Sequence, residues 1–258
     1  MVIPKKKLGQ HFLKDREIAR RIAGTLSGSG YSSVLEIGPG TGILTRFLMD
    51  RQFNDFRVIE IDNESVYYLK ENFPDLKEII RGDFLKMDIG HYFPDKLAIT
   101  GNFPYNISSQ ILFKILENRD KIVEMCGMFQ KEVAERICSK PGSKLYGILS
   151  VMLQAFYYTE YLFTVPEHVF SPPPRVKSGV IHITRNSVTK LLCDESLFKK
   201  VVKACFNQRR KMLRNSVKAV FNLKSEHNKY FTLRPEQLSV EDFVELTNWI
   251  AEYRILPE

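Results

Sequence analysis

Three short segments carry side chains whose types and spacing suit chemistry on a nucleoside. In VLEIGPGTGILT, Glu36, Gly38, Gly40 and Gly42 stand between a β-branched run and a helical pattern. Glycines at such a turn let backbone approach a ligand closely. The spacing departs from a dinucleotide fingerprint, since position 43 is Ile43, and no Gly-Lys-Ser/Thr follows to make a phosphate loop. Further on, Glu60 closes the run RVIE and Asp83 lies in GDF. A carboxylate at a strand's carboxyl end can accept both hydrogen bonds of a ribose diol, and Phe84 beside Asp83 offers an apolar wall for a purine. The third segment is GNFPYNIS, Gly101 to Ser108. There the Asn102 side-chain carbonyl and a backbone carbonyl near Pro104 can each take one hydrogen of an exocyclic amine, while Tyr105 offers a ring for stacking. Holding both hydrogens aims the nitrogen lone pair at an electrophile by orientation and electrostatics, with no metal required.

Such groups act together only if the chain brings their turns to one edge. Residues 33 to 37, 57 to 61, 77 to 81, 96 to 100 and 122 to 129 read as strands, with helical patterns at 43 to 50, 63 to 72 and 107 to 117. That alternation predicts βαβ units and a parallel sheet, hence an α/β fold with every candidate turn at the carboxyl edge. Residues 161 to 166 and 179 to 184 predict two further strands around Pro172 to Pro174. Beyond Thr184 the texture changes to apolar residues at helical spacing, which predicts a small C-terminal helical domain over 186 to 258 behind a catalytic domain over 1 to 185.

The charge is uneven. The chain of 258 residues has 38 Lys and Arg against 30 Asp and Glu, a net charge of +8. Lys5, Lys6, Lys7, Lys14 and Arg16 cluster near the start, while Arg209, Arg210, Lys211, Arg214 and Lys218 cluster near the end in a segment without acids. Clustering on an otherwise balanced chain favours a nucleic acid over a small acidic substrate. A continuous helix over FNQRRKMLRNSVKAV sets Lys211, Arg214 and Lys218 on one face and Leu213, Val217 and Val220 on another. The longest uncharged run, Leu145 to Thr159, is too short to span a bilayer, and no secretory or transit signal precedes residue 16, so a cytoplasmic protein without membrane contact is expected. Four scattered cysteines without C-x-x-C read as buried, reduced thiols, with no metal.

In chain order, KKKLGQHFL, EIGPGTGILT, VIEID, GDF, GNFPYNIS, QKEVAERI, FSPPPRVKS and FNQRRKMLRN resemble the signatures of the KsgA-type ribosomal RNA adenine dimethyltransferases. That resemblance implies a Rossmann-like methyltransferase sheet with a C-terminal helical RNA-binding domain. It implies S-adenosylmethionine as cofactor and, as activity, dimethylation of two adjacent adenosines near the 3′ end of small-subunit rRNA, in immature 30S particles. By the same resemblance His11 and Leu13 close over the cofactor, Gly38 and Gly40 face its methionine end, Glu60 holds its ribose, and Asp83 with Phe84 takes its adenine. Asn102 contacts both cofactor and target; Asn102, Pro104 and Tyr105 hold the target adenine, with Phe170 on its opposite face. Arg209, Arg210, Lys211 and Arg214 bind RNA phosphates. His11 stands where many members have Asn, and Phe103 where most have Leu. The alternatives are a large-subunit rRNA or DNA adenine methyltransferase, or a non-catalytic binding relative; FNQRRK weighs against the first two and Glu60 with Asn102 against the last. A monomer is the default.

Overall fold

The computed structural model describes residues 2–225 and 227–255. Its strands are β1 (Phe12–Leu13), β2 (Ser33–Ile37), β3 (Asp55–Glu60), β4 (Glu78–Arg81), β5 (Leu97–Asn102), β6 (Ile122–Gln130), β7 (Tyr157–Val165), β8 (Phe170–Ser171) and β9 (Ser178–Arg185). Its α-helices are α1 (Arg16–Thr25), α2 (Ile43–Met49), α3 (Asn63–Asn72), α4 (Ile89–Tyr92), α5 (Ser108–Glu117), α6 (Lys131–Cys138), α7 (Ile148–Gln154), α8 (Glu195–Asn207), α9 (Leu213–Lys218) and α10 (Val240–Tyr253).

Seven strands form one sheet in the order β4-β3-β2-β5-β6-β9-β7. β2 pairs in parallel with both β3 and β5, β3 with β4, and β5 with β6, while β9 runs antiparallel to β6. The expected parallel βαβ part is present, but the antiparallel β9 makes the whole sheet mixed. All five residues of β2 are buried, which is why SVLEI reads as a continuous run instead of an alternating one. Val34, Val58, Ala98 and Cys126 pack with Ile22, Leu26, Leu44 and Leu48 of the α1 and α2 region in one core. Asp15 starts α1 by accepting the N–H groups of Glu17 and Ile18 at 2.9 and 3.0 Å.

From β2 the chain steps outward to β3 and β4, then returns to the other side of β2 as β5. The strand order reverses between β2 and β5, and open α/β sheets bind ligands outside the carboxyl ends at such a point. Beyond the main sheet, β1 and β8 form a two-stranded antiparallel ladder with Phe12 opposite Ser171 and Leu13 opposite Phe170. The Lys14 N–H extends it by donating to the Val169 carbonyl at 2.8 Å.

The chain divides into two compact units, residues 1–135 with 158–185 and residues 136–157 with 186–258. The helical unit thus takes in residues 136–157 as well as those beyond 185. Within that unit α7 packs on α8, and Tyr146 lies 6.4 Å from Phe206 between ring centroids. Leu197, Phe198, Val201, Val202 and Cys205 form the buried face of α8, and Phe243, Leu246 and Ile250 that of α10.

The expected continuous basic helix is corrected. α8 stops at Asn207, and α9 begins at Leu213. The N–H groups of Leu213 and Arg214 donate to the carbonyls of Leu233 and Phe231 at 2.8 and 3.2 Å, partners that a continuous helix would have supplied from residues 209 and 210. Lys211 therefore sits in the intervening turn, off the Arg214 and Lys218 face, and Val220 is 54% exposed instead of packed. Cys126 and Cys205 are buried, as anticipated, whereas Cys138 and Cys193 are half-exposed. Among the described residues no helix is long and apolar enough to cross a membrane, and no group of metal-ligating side chains forms.

Candidate active site

A cleft of about 280 Å³ opens at the switch point, lined by the turns after β2, β3, β4 and β5 and by residues 7 to 12. Gly38, with φ +66°, continues the β2–β3 ladder by donating its N–H to the Ile59 carbonyl at 2.9 Å. A Cβ built on it meets nothing within 4 Å, so the glycine leaves room for a ligand against the main chain. Gly40, with φ +57°, has a different reason: its Cβ would lie 2.7 Å from the Phe12 ring, which lies against the loop. The glycine turn and the N-terminal segment therefore fit together only without that side chain.

Glu60 ends β3 at 3% exposure and lines the cleft. Its carboxylate accepts the Asp62 N–H at 2.8 Å and the Gly40 N–H at 3.2 Å, joining the acid turn to the glycine loop. Burial pushes its pKa upward, against those backbone donors, which favour the charged form. Asp83 accepts the Leu85 N–H at 2.9 Å and so turns Phe84 inward, where it is 4% exposed yet still borders the cleft. Sequence reasoning missed the strap over this side. Lys5 pairs with Asp62 and lies 3.0 Å from the Glu64 carboxylate, and Gln10 donates to Asp62 at 3.4 Å. The basic N-terminal cluster gave no signal of it, because its partners are acids at the start of α3, far along the chain.

At the end of β5, the Asn102 Nδ2 donates to the His11 carbonyl at 2.8 Å. With its amide nitrogen fixed there, Asn102 keeps Oδ1 as an acceptor in the cleft it lines. The Pro104 carbonyl already receives the Ile107 N–H at 3.3 Å and the Ser108 hydroxyl at 3.2 Å, so Asn102 offers the less encumbered acceptor. Tyr105 is half-buried, its hydroxyl 2.6 Å from Ser178 Oγ of β9, and desolvation keeps the phenol neutral by raising its pKa. Phe103 anchors the turn from beneath at 1% exposure, 4.9 Å from Phe129 between centroids. A Cβ at Gly127 would come 2.1 Å from the Phe103 ring, so the larger residue is accommodated by a notch in β6.

His11, Gly38, Gly40, Glu60, Asp83, Phe84, Asn102, Pro104 and Tyr105 thus share one cleft. Leu13 and Phe170 do not. Leu13 borders a separate cavity of about 20 Å³ under the glycine loop, with Glu36, Gly38 and Asn102. Phe170, expected on the far face of a bound base, is 1% exposed and packed in the core with Leu13 and Val169, because the β1–β8 pairing turns it inward. In the helical unit, Arg210, Lys211 and Arg214 are exposed, while half-buried Arg209 donates to the Lys144 carbonyl.

Glu36 lies in β2, just before the glycine loop. It is 1% exposed, accepts the Thr45 hydroxyl at 2.7 Å, and burial with the nearby Glu60 charge pushes its pKa up to about 8 despite that bond. An unfolded glutamate titrates near 4.5. Between those values the folded chain holds a proton the unfolded chain has lost, so this group makes stability fall as pH rises across the window. Glu36→Gln mimics the neutral carboxyl and is expected to gain stability relative to wild type at pH 8.5 compared with pH 5. Thermal melts at both pH values check it, and an identical difference in Tm at the two would count against a neutral Glu36.

The family model described as ribosomal RNA adenine dimethylase matches residues 3–252. The ribosomal RNA small subunit methyltransferase A of Flavobacterium johnsoniae is 62% identical over 250 residues, spanning 95% of each chain. That of Cytophaga hutchinsonii is 58% identical over 252 residues, 96% of this chain and 97% of its own. Among solved structures, a dimethyladenosine transferase from Plasmodium falciparum superposes with a TM-score of 0.77 at 25% identity, over 95% of this chain and all (100%) of that one. The 23S rRNA methyltransferase ErmE gives 0.68 at 26% identity, over 92% and 99%.

Proposed function

Because the chain belongs to the ribosomal RNA adenine dimethylase family, we propose as its activity the N6,N6-dimethylation of adenosines in small-subunit ribosomal RNA. It is an enzyme, a ribosomal RNA adenine dimethyltransferase. The observation that carries the reading is Asn102: its amide nitrogen is tied to the His11 carbonyl, which leaves an acceptor oxygen at the switch point beside Tyr105 and Glu60. The small-subunit substrate is favoured over the large because the relatives at 52% to 62% identity carry the small-subunit name, whereas ErmE is 26% identical.

S-adenosylmethionine fits the cleft and, when bound, supplies an electrophilic methyl group. The open space at Gly38 suits its methionine end, the Glu60 carboxylate its ribose diol, and Asp83 with the Phe84 wall its adenine. On the target side, Asn102 Oδ1 takes one hydrogen of the exocyclic amine and Tyr105 stacks on the base. Those contacts would hold the nitrogen lone pair toward the methyl group that the bound cofactor would give up from its sulfur, the amine proton leaving to solvent. Exposed Arg210, Lys211 and Arg214 supply RNA phosphate contacts, which give affinity without reading sequence, while Arg209 braces the segment. We place the enzyme in the cytoplasm as a monomer acting on two adjacent adenosines near the 3′ end of the RNA in immature 30S particles.

The sequence has one Asn-x-Pro-Tyr and one glycine loop of this kind, so one site performs both additions. A monomethylated amine retains a hydrogen for Asn102 and a lone pair for attack. Mass spectrometry of nucleosides after an extended reaction on immature small subunits is expected to show dimethyladenosine replacing a monomethyl intermediate. Persistent monomethyladenosine with active enzyme and fresh cofactor would sink the dimethyltransferase reading.

A further inference from the structure

The N-terminal strap that borders the cleft is held in different ways along its length. At Phe12 and Leu13 it is a strand, joined to β8 through the main chain. Ahead of that, Lys6–Leu8 make a single 3-10 turn closed by Gly9, whose φ is +64°. A Cβ on Gly9 would lie 2.8 Å from the Asn106 side chain, so the turn seats against the loop that carries Tyr105. At Lys5 the hold is by charge: its ammonium pairs with Asp62 and lies 3.0 Å from Glu64.

Asp62 makes that charge matter. Its carboxylate is 3% exposed, and an ionised group so deep needs strong partners. The other donors are distant, with the Gln10 and Glu64 nitrogens at 3.4 Å and the Ser65 hydroxyl at 3.3 Å. Lys5 also sets the Gln10 amide, because its N–H donates to Oε1 at 2.8 Å and so turns Nε2 toward Asp62. The Asp62 N–H in turn donates to Glu60 at 2.8 Å, and Glu60 accepts the Gly40 N–H at 3.2 Å. One chain of hydrogen bonds therefore runs from the strap to the acid assigned to the ribose and on into the glycine loop.

Resting on the cofactor reading above, we propose that Lys5 is a positioning residue, an electrostatic latch on Asp62 that sets how long the cofactor stays bound. The strap hinges at the β1–β8 ladder, where main-chain pairing persists, and lifts at Lys5. Once the ammonium leaves, Asp62 draws in water and the Gln10 amide loses its register, which frees residues 7 to 10 from the cleft edge. Every methyl addition consumes one cofactor, so the latch must open once per transfer. The Lys5 side chain is 27% exposed, which leaves the pair within reach of water and salt, whereas a fully buried pair would hold too firmly for repeated opening.

Surface plasmon resonance on the full chain, with S-adenosylmethionine as analyte, separates association from dissociation. Lys5→Met is expected to raise the dissociation rate constant roughly tenfold, the scale of one charge-assisted hydrogen bond, while association stays within about twofold. Lys5→Arg keeps the charge and is expected to stay within about threefold of wild type. Asp62→Asn is expected to match Lys5→Met, and the double variant to add nothing further, because both remove the same contact. Raising salt to about 0.5 M is expected to speed wild-type dissociation and leave Lys5→Met unmoved. Thermal melts check that each variant is folded. Unchanged dissociation in Lys5→Met, an Arg variant as fast as Met, or a loss confined to association would each overturn the latch. Binding of S-adenosylmethionine by the wild type in the same measurement keeps those outcomes distinct from a failure of the cofactor reading.

Discussion

Asn102→Ala is expected to slow single-turnover methyl transfer by roughly a hundredfold or more at saturating cofactor, the typical cost of deleting one preorganised partner of the reacting atoms. Under the proposed mechanism the side chain acts at both ends, since Nδ2 donates to the His11 carbonyl and Oδ1 is assigned an amine hydrogen. Only the second contact strengthens as positive charge develops on the nitrogen, so the loss belongs to the rate more than to binding. RNA affinity is expected to change by only a few-fold. Circular dichroism and a cofactor titration confirm that the variant is folded, and quenched-flow transfer on immature small subunits gives the rate. A value within a few-fold of wild type would remove Asn102 from the chemistry.

The second large effect is on cofactor affinity. Glu60→Ala deletes the acceptors assigned to the ribose diol, and charge-assisted hydrogen bonds contribute roughly 1.5 to 3 kcal/mol each. A weakening of about a hundredfold or more is expected by calorimetry. The same carboxylate also accepts the N–H groups of Gly40 and Asp62, so part of the loss comes from unsettling the glycine loop. Glu60→Gln retains one acceptor oxygen for either task and is expected to fall between wild type and Ala. Unchanged affinity in a folded Ala variant would free Glu60 of any cofactor role.

The middle of the central sheet was legible because β2, β5 and β6 are buried on both faces and the turns after β2 and β5 are rich in chemistry-bearing residues. SVLEI at 33 to 37 needed no adjustment, and α3 spans the same residues, 63 to 72, as its pattern suggested. The turns that line the cleft were legible as turns for the same reason, since each follows a strand directly. What failed was anything fixed by distant partners. The helix over 206 to 220 has good helical spacing throughout, yet the carbonyls of Phe231 and Leu233 draw the Leu213 and Arg214 amides away and break it. Phe170 was placed by resemblance alone; its burial follows from the ladder with Leu13, which no local pattern encodes. The two-residue strands β1 and β8 are too short to leave a periodic trace.

That ladder also fixes when during synthesis the enzyme can be born. Residues 7 to 12 roof the cleft, but Phe12 has no strand to pair with until Ser171 has been made. A nascent chain released after β6 would own the glycine loop, Glu60 and Asn102, yet would lack the partner strand that steadies the roof. Closing so long a loop comes late in folding, because its entropy cost precedes the contacts that offset it. The segment that roofs the cleft thus finds its place only after the much later β8 has been made, which leaves the cleft unfinished until then.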